Sequence, residues 1–199
     1  MKIGVLAFQG GVAEHLSALN KAAEKLKLDC TITKIKRKSD FVNLDGLIIP
    51  GGESTTLWKL IERERIEDDI KNVKAIFGTC AGSIIIAKKV KGLIDGQKSI
   101  GLMDIETDRN AYGSQIESFE ADVKTELGDI HAVFIRAPKI RITKRVTALA
   151  RYKNEIISAE QRTKNRFYLA TTFHPELTTT IFHEYFLKSI RYLAIRRTK

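Results

Sequence analysis

Two cysteines, Cys30 and Cys80, are the only thiols in 199 residues, too few for a disulfide framework. The four histidines do not stand near them at zinc-ligand spacing, so neither a structural nor a catalytic metal site is expected. Long apolar runs are also missing, and none approaches the roughly 20 residues that cross a bilayer. The opening Met1-Lys2-Ile3-Gly4-Val5-Leu6-Ala7-Phe8 superficially resembles a signal peptide. Its apolar part is too short, and Gln9-Gly10-Gly11 leads straight into an amphipathic helix pattern, so it reads as a first strand. No linker, repeat or low-complexity stretch divides the chain, and residues 1–199 read as a single domain. A cytoplasmic protein is expected.

What remains is globular in composition, with 43% hydrophobic and 29% charged residues. The net charge of +10 gathers in Lys34-Ile35-Lys36-Arg37-Lys38, between Arg136 and Arg166, and in Arg196-Arg197-Thr198-Lys199. Such clusters suit nucleic acid or an acidic partner. No RNA-binding motif or basic–aromatic interleaving accompanies them, so solvated surface charge is the expectation and nucleic acid is not.

The first half alternates strand and helix patterns. Strands are expected over 2–8, 30–35, 44–50 and 75–78. A helix over 12–26 carries Val12, Leu16, Leu19, Ala23 and Leu26 on one stripe, and helices follow the third and fourth strands. The polar alternate residues of 30–35 suit an edge. This order predicts an α/β fold, a three-layer sandwich with a mostly parallel central sheet and helices on both faces. Past Gly92 the pattern becomes short strands over 119–123, 132–135, 146–150 and 167–171, read as extra, partly antiparallel strands. A last helix over 179–195 is apolar along Ile181, Phe182, Tyr185, Phe186, Ile190 and Leu193.

Three segments carry chemistry. In Phe77-Gly78-Thr79-Cys80-Ala81-Gly82 a strand ends in a sharp turn, and a helix containing Ile84, Ile85, Ile86 and Ala87 begins. Glycines on either side allow the close packing of a nucleophile elbow, with cysteine in the reactive position. A helix N-terminus there favours thiolate, and the Ala81 amide faces the place where an oxyanion would form. In Phe173-His174-Pro175-Glu176, His174 follows a strand and reaches the same sheet edge. Glu176 can hold its ring in the tautomer a general base needs. His183 lies within the last helix, and His15 and His131 lack a carboxylate in a comparable setting, so all three are expected to be structural or surface residues. The third segment, Pro50-Gly51-Gly52-Glu53-Ser54-Thr55-Thr56, is a glycine turn into a helix capped by Ser54 or Thr55. It lacks the Gly-Lys-Ser/Thr ending of a phosphate loop. An oxyanion-donating loop and an ordinary strand-to-helix turn fit it equally well.

In this order the segments resemble the triad glutamine amidotransferases. Gln9-Gly10 before Glu14-His15, Arg109-Asn110-Ala111-Tyr112-Gly113, Ser118-Phe119-Glu120, Phe134-Ile135-Arg136-Ala137-Pro138 and His174-Pro175-Glu176-Leu177 narrow the likeness. They resemble the family of glutaminase subunits of pyridoxal 5′-phosphate synthase, over essentially the whole chain. The resemblance implies a catalytic triad of Cys80, His174 and Glu176. It implies an oxyanion hole from Gly52 and Ala81, and a glutamine pocket of Gly52, Glu53, Ser54, Arg109, Ile135 and Arg136. Glutamine would become glutamate through a glutamyl thioester, with no cofactor in this chain. The ammonia would pass to a synthase subunit whose docking activates the glutaminase. Gln9-Gly10 would support the oxyanion site. One departure stands at Gly113-Ser114-Gln115, where the family usually has arginine in place of Ser114.

Overall fold

Apolar runs without alternation build the middle of the sheet, because strands covered by helices on both sides need no polar face. The computed structural model describes residues 1–109 and 118–195. Asn110, Ala111, Tyr112, Gly113, the Ser114 departure and the basic 196–199 segment lie outside the described residues. The first half runs β1 (Lys2–Leu6), α1 (Val12–Lys25), β2 (Thr31–Ile35), β3 (Gly46–Ile49), α2 (Ser54–Arg63), α3 (Glu67–Asn72), β4 (Ala75–Thr79) and α4 (Ala81–Ile86). The second runs β5 (Ala87–Lys91), β6 (Met103–Asp108), β7 (Phe119–Thr125), β8 (Gly128–Phe134), β9 (Lys139–Ile142), β10 (Thr147–Tyr152), β11 (Glu155–Arg162), β12 (Phe167–Thr171) and α5 (Ile181–Ile195). A short 3-10 turn, Pro175–Leu177, joins β12 to α5.

The main path of the sheet is β2-β1-β3-β4-β12-β11-β10-β7-β8. Pairing is parallel from β2 through β12 and antiparallel beyond it. On a side branch β6 pairs parallel with β5 and antiparallel with β9, which joins β11. Every residue of β3, β4 and β12 is buried, whereas β2 lies at the edge with a mostly uncovered face. One core layer places Leu19 of α1 and Phe182, Phe186 and Ile190 of α5 against Ile3, Val5, Ile48 and Phe77. The opposite layer places Leu57, Trp58 and Ile61 of α2, Ile70 of α3 and Ile85 of α4 against Leu6, Leu47, Ile49 and Ile76. The three-layer α/β architecture read from the sequence is the one observed.

Differences are local. The helix after Cys80 ends at Ile86, and Ala87 opens β5 rather than closing the helix. β5, β6, β9 and β11 were not anticipated. β5 is short and highly charged, so tertiary pairing rather than its own pattern makes it a strand. Glu53 caps α2 in place of Ser54 or Thr55, with its side chain accepting from the Thr55 and Thr56 amides.

Candidate active site

β3, β4 and β12 are neighbours that run the same way, so the loops leaving their carboxyl ends converge. Ligands bind there in open parallel sheets. Thr79 and Thr171 are register partners, and the Cys80 amide extends the pairing by donating to Thr171 O at 2.8 Å. Cys80 therefore stands one residue beyond this pair on β4, and His174 three beyond it on β12. The turn is sharp: Cys80 has φ 48° and ψ −109°, an unusual conformation for a residue with a side chain. Ser83 Oγ fastens it, donating to Cys80 O at 2.7 Å. A Cβ on Gly82 would collide with Ile49 O, so only glycine lets α4 lie this close to β3. Ala81 is the first helical residue, in a helix of only six.

The His174 amide donates to Val133 O at 2.9 Å, tying it to β8. Pro175 opens the 3-10 turn that carries Glu176 back toward the imidazole, and Glu176 Oε1 lies 2.8 Å from His174 Nδ1. Burial alone would lower the His174 pKa. Hydrogen bonds with Cys80 on one side and Glu176 on the other outweigh that and push it up to about 10. Gly51 packs against this pair. A Cβ there would stand 2.6 Å from His174 Cε1 and 3.3 Å from Cys80 Cβ. Ile135, just past β8, is half-exposed and turns its carbonyl to Cys80 Sγ at 3.6 Å. Arg136 follows with a left-handed φ of 49° and an exposed side chain.

Glu53, Ser54 and Arg109 form a second cluster beside the first. The Glu53 carboxylate accepts from the amides of Thr55 (2.9 Å) and Thr56 (2.7 Å) and from Arg109 Nη2 (2.6 Å). Burial opposes its ionisation, but the Thr55 and Thr56 hydrogen bonds win and hold its pKa at about 2. The second arm of the Arg109 fork donates to Gln97 Oε1 at 2.7 Å, and Gln97 Nε2 donates to the buried Ser54 Oγ at 3.0 Å. Gln97 is thus a hub that sequence reasoning missed. It stands in a polar loop, Asp95-Gly96-Gln97-Lys98, with no local pattern to mark it. Gln9 Nε2 donates to Glu53 O at 2.6 Å, which braces the Gly52 turn.

Contrary to the expectation from sequence, His15 and His131 each have carboxylates beside them. His15 is fully buried, with Nε2 3.4 Å from Glu176 Oε2 and 3.2 Å from Thr79 Oγ1, so it does have a carboxylate beside it. Its Nδ1 lies 2.9 Å from Nε2 of the equally buried His183. The Glu14-His15 pair was the one available signal. His131 sits at the surface between Asp122 (2.7 Å) and Glu120 (2.8 Å), away from the convergent loops. No group of side chains suited to a metal ion occurs among the described residues.

A thiol, an imidazole and a carboxylate in series suit acyl transfer at an amide. The sequence matches the SNO glutamine amidotransferase family over residues 5–192. The chain belongs to that family. A Korarchaeum cryptofilum relative named pyridoxal 5′-phosphate synthase subunit PdxT is 44% identical over 198 residues, covering 96% of this chain and 98% of the relative. A Sulfolobus acidocaldarius protein of the same name is 45% identical over 203 residues, covering 96% and 100%. Among solved structures, one described as a glutamine amidotransferase superimposes with a TM-score of 0.79 at 39% identity, covering 95% of this chain and 98% of the other. Membership of the SNO family agrees with the resemblance carried by the motifs. No helix among the described residues is long and apolar enough to cross a membrane.

Proposed function

We propose that this chain is the glutaminase subunit of a pyridoxal 5′-phosphate synthase, hydrolysing L-glutamine to L-glutamate and ammonia. The observation that carries the reading is the hydrogen-bonded series Cys80, His174, Glu176 at the carboxyl ends of adjacent strands, with an imidazolium favoured at His174. Such a cation is the counter-ion that a thiolate nucleophile needs. The Cys80 thiolate adds to the carbon of the glutamine side-chain amide, and the Gly52 and Ala81 amides meet the resulting oxyanion. His174 gives its proton to the departing nitrogen. Ammonia leaves, and a glutamyl thioester remains on Cys80. His174 then takes a proton from water as the water attacks the thioester, and glutamate departs as the thiolate returns. Gly52, Glu53 and Ser54 line the glutamine, and Arg109, Ile135 and Arg136 hold its amino-acid end. The Arg109 fork is already engaged by Glu53 and Gln97, so it would meet the substrate carboxylate as part of that cluster.

In this reading residues 1–199 act as one glutaminase domain, in the cytoplasm, without a cofactor. The ammonia passes to the synthase subunit, the assembly named for the relatives. A cleft of about 680 Å³ between α1 and the turn after Glu176, lined by Glu14, Lys21 and Thr178, offers that partner a surface beside the site. The basic clusters among the described residues are read as solvated charge, with no nucleic-acid role. The test is glutamate release with and without a pyridoxal 5′-phosphate synthase subunit, run beside Cys80→Ala. Stimulation by the partner and abolition in the variant are expected. Activity retained by Cys80→Ala removes the mechanism, and indifference to the synthase subunit removes the partner.

A further inference from the structure

The proposed chemistry makes no use of His15, although its Nε2 stands 3.4 Å from Glu176 Oε2. Glu176 and His15 have no exposed side-chain surface. Among the described residues Glu176 Oε2 has no partner of ordinary hydrogen-bond geometry, and His15 Nε2 stands 3.4 Å from it. Catalytic hydrogen bonds are often this long before substrate binds. The groups around His15 come from every neighbouring element. Thr79 and Phe77 face it from β4, His183 from α5, and Glu176 and His174 from the turn after β12. On its own helix, Glu14 brings a carboxylate near Gly11, which also borders Glu176 Oε1.

The proton inventory of the two imidazoles has one economical solution. Desolvation, together with repulsion from His183 and His174, keeps His15 neutral, and desolvation keeps His183 neutral, so each ring has one N–H. His183 Nδ1 is buried without a partner among the described residues. An orphaned N–H is rarer in native proteins than an orphaned acceptor. His183 therefore carries its proton on Nε2 and donates to His15 Nδ1. That leaves the His15 proton on Nε2, within hydrogen-bond reach of Thr79 Oγ1 at 3.2 Å and with Glu176 Oε2 3.4 Å away. The reverse assignment would leave a buried N–H unpaired on His183 and turn a His15 lone pair toward the Glu176 carboxylate.

We propose that His15 is a positioning residue of the glutaminase site, fixed as its Nε2–H tautomer by His183, which donates to Glu176 Oε2 and keeps Oε1 turned to His174. The proposal rests on the reading of Cys80, His174 and Glu176 as the triad. It extends the line of hydrogen bonds from Cys80 into the core between β4, α1 and α5. With both oxygens held, Glu176 cannot rotate away from His174. With one held, it can.

The test uses the complex with a pyridoxal 5′-phosphate synthase subunit and follows glutamate release by His15→Phe, His15→Asn and His15→Gln. The Gln amide nitrogen can stand where Nε2 stood, whereas the Asn amide reaches only the Nδ1 position. His15→Phe and His15→Asn are expected to lose roughly 10- to 100-fold in kcat, the worth of one hydrogen bond to a buried charge, with KM little changed. The acidic limb of their kcat/KM profile should move to higher pH, since a carboxylate that loses a donor is harder to ionise. His15→Gln should recover to within about fivefold of the unaltered protein. Equal turnover of the Gln and Asn variants, with an unmoved acidic limb, overturns the proposal even if His15→Phe does not fold. An unaltered complex without glutaminase activity, or an active Cys80→Ala, overturns the functional reading instead.

Discussion

His183 is fully buried, and desolvation holds its pKa down to about 3 against an ordinary 6.5. The folded protein keeps it neutral well below pH 6.5, while the unfolded chain takes up a proton there. The stability that depends on its neutral form is complete above pH 6.5 and is lost as pH falls toward the folded value. Between about pH 7.5 and about pH 4.5 the loss is about 2.7 kcal/mol, from 1.36 kcal/mol per pH unit below the unfolded pKa. That is a large share of a typical domain's stability. His15, also lowered by burial, adds a loss of the same sign. Carboxylates held below their ordinary range, such as Asp104 and Glu184, do so too. The decisive experiment is therefore a difference. Urea unfolding at the two pH values, followed by fluorescence of the buried Trp58, compares the unaltered protein with His183→Gln. The variant should be less stable at the higher pH, because the packing of the His183 ring against Phe77 is lost. It should nevertheless lose about 2.7 kcal/mol less on acidification. Equal losses in both proteins would refute the assignment of a neutral, desolvated His183.

Gly51→Ala would place a methyl 2.6 Å from His174 Cε1, so the ring must move by the better part of an ångström. A displacement of that size costs on the order of 100-fold in kcat, with thermal unfolding barely altered, and wild-type turnover would contradict it. Cys80→Ala removes one of the hydrogen bonds that raise His174. Its ring titration, followed by NMR, should fall from about 10 toward the ordinary range, and an unchanged midpoint would contradict the pairing. Because the folded pKa is raised, the stability from this pairing is present below pH 6.5 and is lost as pH climbs through about 10. The alkaline loss should therefore be smaller in Cys80→Ala. Glu53→Ala removes the cap of α2 and one partner of Arg109, so about 1 kcal/mol of stability and a rise in KM for glutamine are expected from denaturation and kinetics.

Local patterns were enough to announce Cys80 and His174. Each ends an apolar strand, with small or turn-forming residues around it, and Glu176 follows His174 at a spacing that a single turn can close. The parallel half of the sheet was legible for a similar reason, since β1, β3 and β4 are continuous apolar runs. β5 was not, because Ala87-Lys88-Lys89-Val90-Lys91 becomes a strand through pairing with β6 rather than through its own pattern. The cap of α2 lies one or two residues before the expected Ser54 or Thr55, because Ser and Thr outrank Glu as caps and nothing local reveals that Arg109 also holds Glu53.

By itself the sequence determined the candidate residues Cys80, His174 and Glu176, the edge of the sheet they reach, and the family to which the chain belongs. Only the tertiary structure decided what surrounds them. Gly51 lies against His174, Gln97 joins Ser54 to Arg109, and His15 meets His183 across 168 residues of chain. Periodicity and turn chemistry act over a few residues, whereas these contacts exist only once the helices and strands have packed, so no local pattern encodes them.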